Sequence, residues 1–122
     1  MNKILIIEDE KILFEMYKEK LEREGFKVFG AFTVDEGIEI AKKEKVDLII
    51  LDILLPVKNG ISFLKDRVKE KEIANIPVIV FSNYDEPTVK KEALSLGAKE
   101  YLIKTDHIPK DIVEKIRKYL SQ

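Results

Sequence analysis

The chain has no cysteine. Disulfides, thiolate nucleophiles and zinc–sulfur sites are therefore excluded. Net charge is nearly absent: 22 Lys and Arg stand against 23 Asp and Glu, a formal −1. That balance gives no electrostatic reason to expect nucleic acid or an anionic membrane as partner. Long hydrophobic runs are missing too. The opening MNKILIIEDE places only Ile4 to Ile7 in an unbroken apolar run before acid follows. Such a run is too short for a signal-peptide core or a membrane span, so a cytoplasmic protein with no membrane insertion is expected. Histidine occurs once, as His107, in a polar stretch that reads as an exposed loop. No repeat, low-complexity stretch or linker interrupts the chain.

What is present fits one domain spanning residues 1–122. The length allows one core, and a 45% apolar share supplies it. Short apolar blocks recur at regular spacing. Ile4–Ile7, Leu48–Leu51 and Val78–Phe81 are continuous and rich in β-branched residues. Runs of that kind suit strands buried on both faces of a parallel sheet. Val28-Phe29 and Tyr101–Ile103 read as shorter strands nearer the edges. Segments with helical period lie between them. Ile12, Leu13, Met16, Tyr17 and Leu21 mark one face of a first helix that Gly25 stops. Thr33 or Asp35 caps a second helix carrying Ile38 and Ala41. Ile61, Leu64 and Val68 mark a third, and Val89, Ala93 and Leu96 a fourth that ends at Gly97. Ile112, Val113, Ile116 and Leu120 mark a fifth, which ends close to the C-terminus, so no output domain is expected. Strand and helix thus alternate five times. This predicts an α/β fold, a doubly wound flavodoxin-like (βα)5 unit with a five-stranded parallel sheet in the order 2-1-3-4-5.

In such sheets ligands bind outside the carboxyl ends of the strands. Strand one ends in Glu8-Asp9-Glu10, strand three in Asp52, strand four in Ser82-Asn83 and strand five in Lys104. Glu8, Asp9 and Asp52 are therefore expected on one rim, with Ser82 and Lys104 beside them. Clustered carboxylates repel one another unless a cation or proton intervenes. Oxygen ligands without His or Cys favour Mg²⁺ or a similar hard cation such as Mn²⁺. Metal, ammonium and hydroxyl donor together equip a site for phosphoryl transfer, which depends on positioning and charge neutralisation.

These residues resemble the receiver domain of bacterial two-component response regulators over essentially the whole chain, in the manner of stand-alone chemotaxis regulators. The resemblance rests on Glu8-Asp9, on Asp52 with the following run to Pro56, Asn59 and Gly60, on Ser82, on Tyr101 and on Lys104. It implies a phosphorylation-activated signalling switch and not an enzyme acting on external substrates. Asp52 would be the phosphoacceptor, taking the group from a sensor histidine kinase or a phosphotransfer protein. Asp9, Asp52 and the backbone carbonyl of Leu54 would bind Mg²⁺, with Glu8 acting through water. Lys104 would pair with the phosphoryl oxygens, Ser82 would close onto them, and Tyr101 would swing inward. The surface of helix four, strand five and helix five would then change its affinity for a downstream protein target. The molecule would be a monomer or a phosphorylation-dependent dimer, with no direct contact to nucleic acid. Pro56 stiffens its loop, and Gly60 is expected to supply a positive φ before helix three.

Several positions depart from the family pattern. Glu8 stands where Asp is more common. Asn83 follows Ser82 among the phosphate-binding and switch positions where a small residue is usual, and its size is expected to restrict the path to the phosphoryl group. Leu54 and Tyr84 are bulky and would flank the path to the phosphoryl group, so water is expected to reach an acyl phosphate poorly. Thr105 follows Lys104 in place of proline, where a cis bond would cost about 2.5–4 kcal/mol.

Three rival functions follow from the same residues. An aspartyl-nucleophile phosphohydrolase of the haloacid-dehalogenase type needs a second Asp two residues on, where this chain has Leu54. A flavodoxin-type cofactor binder needs a phosphate loop after strand one, where Glu8-Asp9-Glu10 would repel it. A constitutive interaction module of the same fold would not need the full set of acceptor, metal and lysine residues.

Overall fold

The computed structural model describes residues 1–121. Its strands are β1 (Lys3–Ile7), β2 (Lys27–Ala31), β3 (Leu48–Leu51), β4 (Val78–Ser82) and β5 (Glu100–Ile103). Its helices are α1 (Lys11–Arg23), α2 (Val34–Glu44), α3 (Gly60–Val68), α4 (Pro87–Ser95) and α5 (Pro109–Leu120). The strands form one parallel sheet in the order β2-β1-β3-β4-β5, as the alternation of blocks predicts.

Alternation along each strand divides the core in two. Leu5, Ile7, Ile49, Leu51, Val78 and Val80 face α2, α3 and α4, where Ala41, Phe63, Leu64 and Ala93 cover them. Ile4, Ile6, Leu48, Ile50, Ile79 and Phe81 face α1 and α5, where Phe14, Tyr17, Leu21, Ile112 and Ile116 cover them. Both sheet faces are thereby closed, which explains why β1, β3 and β4 read as unbroken apolar runs.

Local signals set the helix ends. Thr33, not Asp35, caps α2: its side chain accepts from Glu36 N–H at 3.2 Å. Asn59 caps α3 by accepting from Ser62 N–H at 3.1 Å. Glu86 caps α4, accepting from Thr88 and Val89 N–H. Gly25 and Gly97 adopt φ of 96° and 101° just after α1 and α4, the left-handed stop that glycine permits.

The structure corrects two helix faces. On α1 the buried residues are Phe14, Tyr17 and Leu21, whereas Ile12 is 88% exposed and Met16 is exposed as well. At 100° per residue, positions 14, 17 and 21 share one side and 12 and 16 lie opposite. On α3, Phe63 joins Ile61 and Leu64 in the core, while Val68 lies half in solvent at the last turn.

Candidate functional site

Parallel register builds the site. Ile7 pairs with Leu51 between β1 and β3, and Ser82 with Ile103 between β4 and β5. The next residues along β1, β3 and β5 are Glu8, Asp52 and Lys104, so three strand ends deliver them to one rim beside Ser82. Backbone bonds fix the exits: Asp52 N–H donates to Ile7 O at 3.1 Å, and Glu8 N–H donates to Ala31 O at 3.0 Å.

Glu8, Asp9 and Asp52 each offer a carboxylate oxygen within 4.8 Å of the others. Glu8 and Asp52 are buried, at 4% and 6% exposure, and Asp9 is open to solvent. Lys104 reaches into this group. Its Nζ lies 2.5 Å from Glu8 Oε1 and 2.9 Å from Asp52 Oδ2. Two backbone donors complete the set. Glu10 N–H donates to Glu8 Oε2 at 3.0 Å, and Leu54 N–H donates to Asp52 Oδ1 at 3.3 Å. Burial works against a charged Lys104, but its bonds to Glu8 and Asp52 win and raise its pKa. Burial also pushes Glu8 above the usual carboxylate range, against the pull of Lys104. The ammonium is thus the counterion that keeps two buried carboxylates compatible. The donors are all carboxylate oxygens, without imidazole or thiolate, and they fit a hard divalent cation.

The β3–α3 loop is tied to Asp52 from behind. Gly60 N–H donates to Ile53 O at 2.8 Å. A Cβ on Gly60 would lie 2.5 Å from Asp52 O and 2.9 Å from Ile53 Cα. Glycine is therefore needed for close approach to the Asp52–Ile53 backbone. This corrects the expected positive φ at Gly60: the positive φ in this loop belongs to Val57, at 69°. Lys58 N–H donates to Pro56 O at 2.8 Å across Val57, a tight three-residue turn. Lys58 Nζ holds the loop against α2 through Asp35 at 2.9 Å.

The other half of the rim is linked by single hydrogen bonds. Ser82 is fully buried, and its Oγ accepts from Tyr84 N–H at 3.2 Å. Tyr101 Oη donates to the Tyr84 carbonyl at 2.5 Å, joining β5 to the β4–α4 loop. Burial and the nearby charge of Asp52 push the Tyr101 phenol up to about 12. Asn83 lies exposed, and its Oδ1 accepts from Thr105 N–H at 3.1 Å. The Lys104–Thr105 bond is trans, since the described residues contain no cis peptide. Lys104 opens a short 3₁₀ turn, Lys104–Asp106, instead. Leu54 and Tyr84 line one open cleft of about 350 Å³, with Ile53, Asn59 and Val89 also on its walls. His107 is half-buried, not exposed, with Nδ1 3.3 Å from Asp111.

The structure thus brings Glu8, Asp9, Asp52, Ser82 and Lys104 together and sets Leu54, Tyr84 and Tyr101 around them. Asn83 turns to the neighbouring loop. Two features had no signal in the residues alone. One is the direct Glu8–Lys104 pair, because sequence reading assigned those side chains to different tasks. The other is the Tyr84 carbonyl as partner of Tyr101, since any residue carries a carbonyl.

The family model of the response regulator receiver domain matches residues 4–117. The KDP operon transcriptional regulatory protein KdpE of Escherichia coli is 40% identical over 85% of this chain. Protein PilH of Pseudomonas aeruginosa is 36% identical, covering 85% of this chain and 86% of its own length. The chain spans 45% of KdpE and 43% of the Bacillus subtilis regulator YcbL, less than half of each. Among solved structures, a CheY-like receiver domain protein from Methanospirillum hungatei superposes with a TM-score of 0.91 at 30% identity, over 99% of this chain and 94% of that one. The helices of the described residues include none long and apolar enough to cross a membrane.

Proposed function

The chain belongs to the response regulator receiver family, and from that premise we propose that it is a phosphorylation-activated switch with Asp52 as acceptor. The observation that carries this reading is the buried Asp52 carboxylate, 2.9 Å from Lys104 and inside a cluster of three carboxylates. A carboxylate oxygen of Asp52 attacks the phosphorus of a phosphohistidine on a sensor kinase or phosphotransfer protein. The oxygen–phosphorus bond forms as the phosphorus–nitrogen bond breaks. The electron pair leaves with the imidazole nitrogen, which takes up a proton. Mg²⁺, held by Asp9, Asp52 and the Leu54 carbonyl with Glu8 through water, would neutralise phosphoryl charge during transfer; Mn²⁺ would serve similarly. Lys104 pairs with a phosphoryl oxygen, and the Leu54 N–H, 3.3 Å from Asp52 Oδ1, is a backbone donor at the same carboxylate.

The acyl phosphate adds charge and acceptor atoms beside Ser82. Ser82 exchanges its bond from Tyr84 N–H for one to the phosphoryl group, and the β4–α4 loop follows. Tyr101, bound to the Tyr84 carbonyl, transmits that movement to the face of α4, β5 and α5. That face binds a downstream protein, and the chain works as a monomer or as a phosphorylation-dependent dimer. Asn83 sets the loop through Thr105. Leu54 and Tyr84 limit access of water to the acyl phosphate. We take residues 1–122 as one receiver unit working in the cytoplasm.

The test is intact mass after incubation with Mg²⁺ and acetyl phosphate, with Asp52→Ala alongside. A single phosphoryl adduct that needs Mg²⁺ and is lost in the variant supports the reading. A folded, Mg²⁺-binding parent that gains no adduct from acetyl phosphate or from a phosphohistidine donor would favour the constitutive module.

A further inference from the structure

Glutamate at position 8 does something here that a shorter acid could not. Glu8 Oε1 takes Lys104 Nζ at 2.5 Å, and Glu8 Oε2 takes Glu10 N–H at 3.0 Å. Both of its oxygens are thereby occupied by donors of the chain itself. Lys104 Nζ simultaneously holds Asp52 Oδ2 at 2.9 Å. The three groups are nearly buried, at 6%, 8% and 10% side-chain exposure for Glu8, Asp52 and Lys104. Buried charge-assisted bonds of this length are strong and directional. An aspartate would withdraw the carboxylate by about 1.5 Å, one carbon–carbon bond. The pair with Lys104 would then exceed hydrogen-bonding distance, while Lys104 could stay on Asp52.

We infer that Glu8 is a latch that clamps Lys104 across the phosphoacceptor and opposes entry of the divalent cation. The latch rests on the reading of this rim as an Mg²⁺-dependent acceptor site and adds its regulation. The clamped ammonium occupies carboxylate oxygens that the cation needs, and it repels the cation from within the same buried group. Binding of the cation must therefore loosen Lys104 from Glu8, and that loosening releases Lys104 for a phosphoryl oxygen. Glu8 acts as a positioning residue for Lys104, and the length of its side chain sets how much cation the site requires.

A double-mutant cycle read by Mg²⁺ calorimetry separates this from a plain ligand role. The set is the parent, Glu8→Asp, Lys104→Met and the double variant, each melted in chelator and in Mg²⁺ to show that it is folded. The latch predicts that Glu8→Asp tightens Mg²⁺ binding about three-fold or more in the parent and by less than about two-fold once Lys104 is Met. It also predicts that Glu8→Asp lowers the melting temperature in chelator more than in Mg²⁺. Equal effects in both backgrounds, or no tightening by Glu8→Asp, would overturn the latch. Those outcomes leave the proposed function standing if the parent binds Mg²⁺. A parent with neither Mg²⁺ heat nor Mg²⁺ stabilisation would remove the function and the latch together.

Discussion

Replacing Gly60 by alanine should disturb Asp52 from behind without touching its side chain. Gly60 does not have a positive φ, so alanine meets no conformational penalty there. Its cost is steric. The new Cβ would sit 2.5 Å from the Asp52 carbonyl oxygen, against about 3.3–3.6 Å for an ordinary close carbon–oxygen contact. Something must yield by about 0.8 Å or more. The blocking atoms include backbone, and Asp52 N–H is bonded to Ile7 O, so the β3 exit cannot turn freely. Overpacking of this kind costs about 1–3 kcal/mol, and because Gly60 is the first residue of α3, only part of alanine's helix-interior advantage of ~1 kcal/mol offsets it. The expected loss is about 1–2 kcal/mol, read from urea unfolding of both proteins. Displacement of Asp52 should also slow phosphorylation by acetyl phosphate, by up to ~10²-fold for a shift approaching 1 Å. Gly25→Ala is the comparison, because open space surrounds it but its φ is 96°. It should lose about 1 kcal/mol without any change in phosphorylation rate. A Gly60→Ala protein as stable as the parent, with an unchanged phosphorylation rate, would refute the close-approach reasoning.

Val57→Gly should not destabilise, and should add up to ~1 kcal/mol, because a 97%-exposed valine at φ 69° has strain to release and no packing to lose; a clear loss in urea unfolding would contradict this. The phenols of Tyr101 and Tyr119 are each pushed up to about 12, Tyr101 by burial and Asp52, Tyr119 by burial and its bond to Glu100. Their folded-state values lie above the unfolded value near 10, so their contribution to stability is fully present below about pH 10 and is lost as pH rises through 12. Phenolate absorbance should show late-ionising tyrosines, one fewer in Tyr119→Phe. Leu54→Asn and Tyr84→Glu should each shorten the life of the acyl phosphate several-fold, measured by decay of the intact-mass adduct. Lifetimes that barely change would show that these side chains do not restrict water.

The fold was legible because its strands are covered on both faces. Ile4–Ile7, Leu48–Leu51 and Val78–Phe81 are apolar at every position, and, set between helical segments, they ask for a sheet covered on both faces. Strand order followed from the alternation of elements, and rim membership followed from strand order. Helix faces were less legible. Ile12 and Met16 are apolar yet exposed, and a list of apolar residues does not reveal which side of α1 meets the sheet. The role of Gly60 was hidden as well, since a sequence does not distinguish a glycine needed for φ from one needed for clearance. Val57, three residues earlier in the same loop, carries the positive φ against its own preference, held between Pro56 and the Lys58–Asp35 pair. The Glu8–Lys104 pair joins residues from opposite ends of the chain, and its geometry depends on side-chain length at a buried rim.

The switch itself is tested most directly by amide hydrogen exchange on the full chain, with and without the acyl phosphate, in the presence of Mg²⁺. If Asp52 drives Ser82 and Tyr101, exchange will change in the Ser82–Tyr84 loop and through α4 and β5, and Asp52→Ala will show no change. An acyl phosphate confined in its effect to the residues around Asp52, with α4 and β5 exchanging as before, would contradict a switch and leave only a phosphoacceptor.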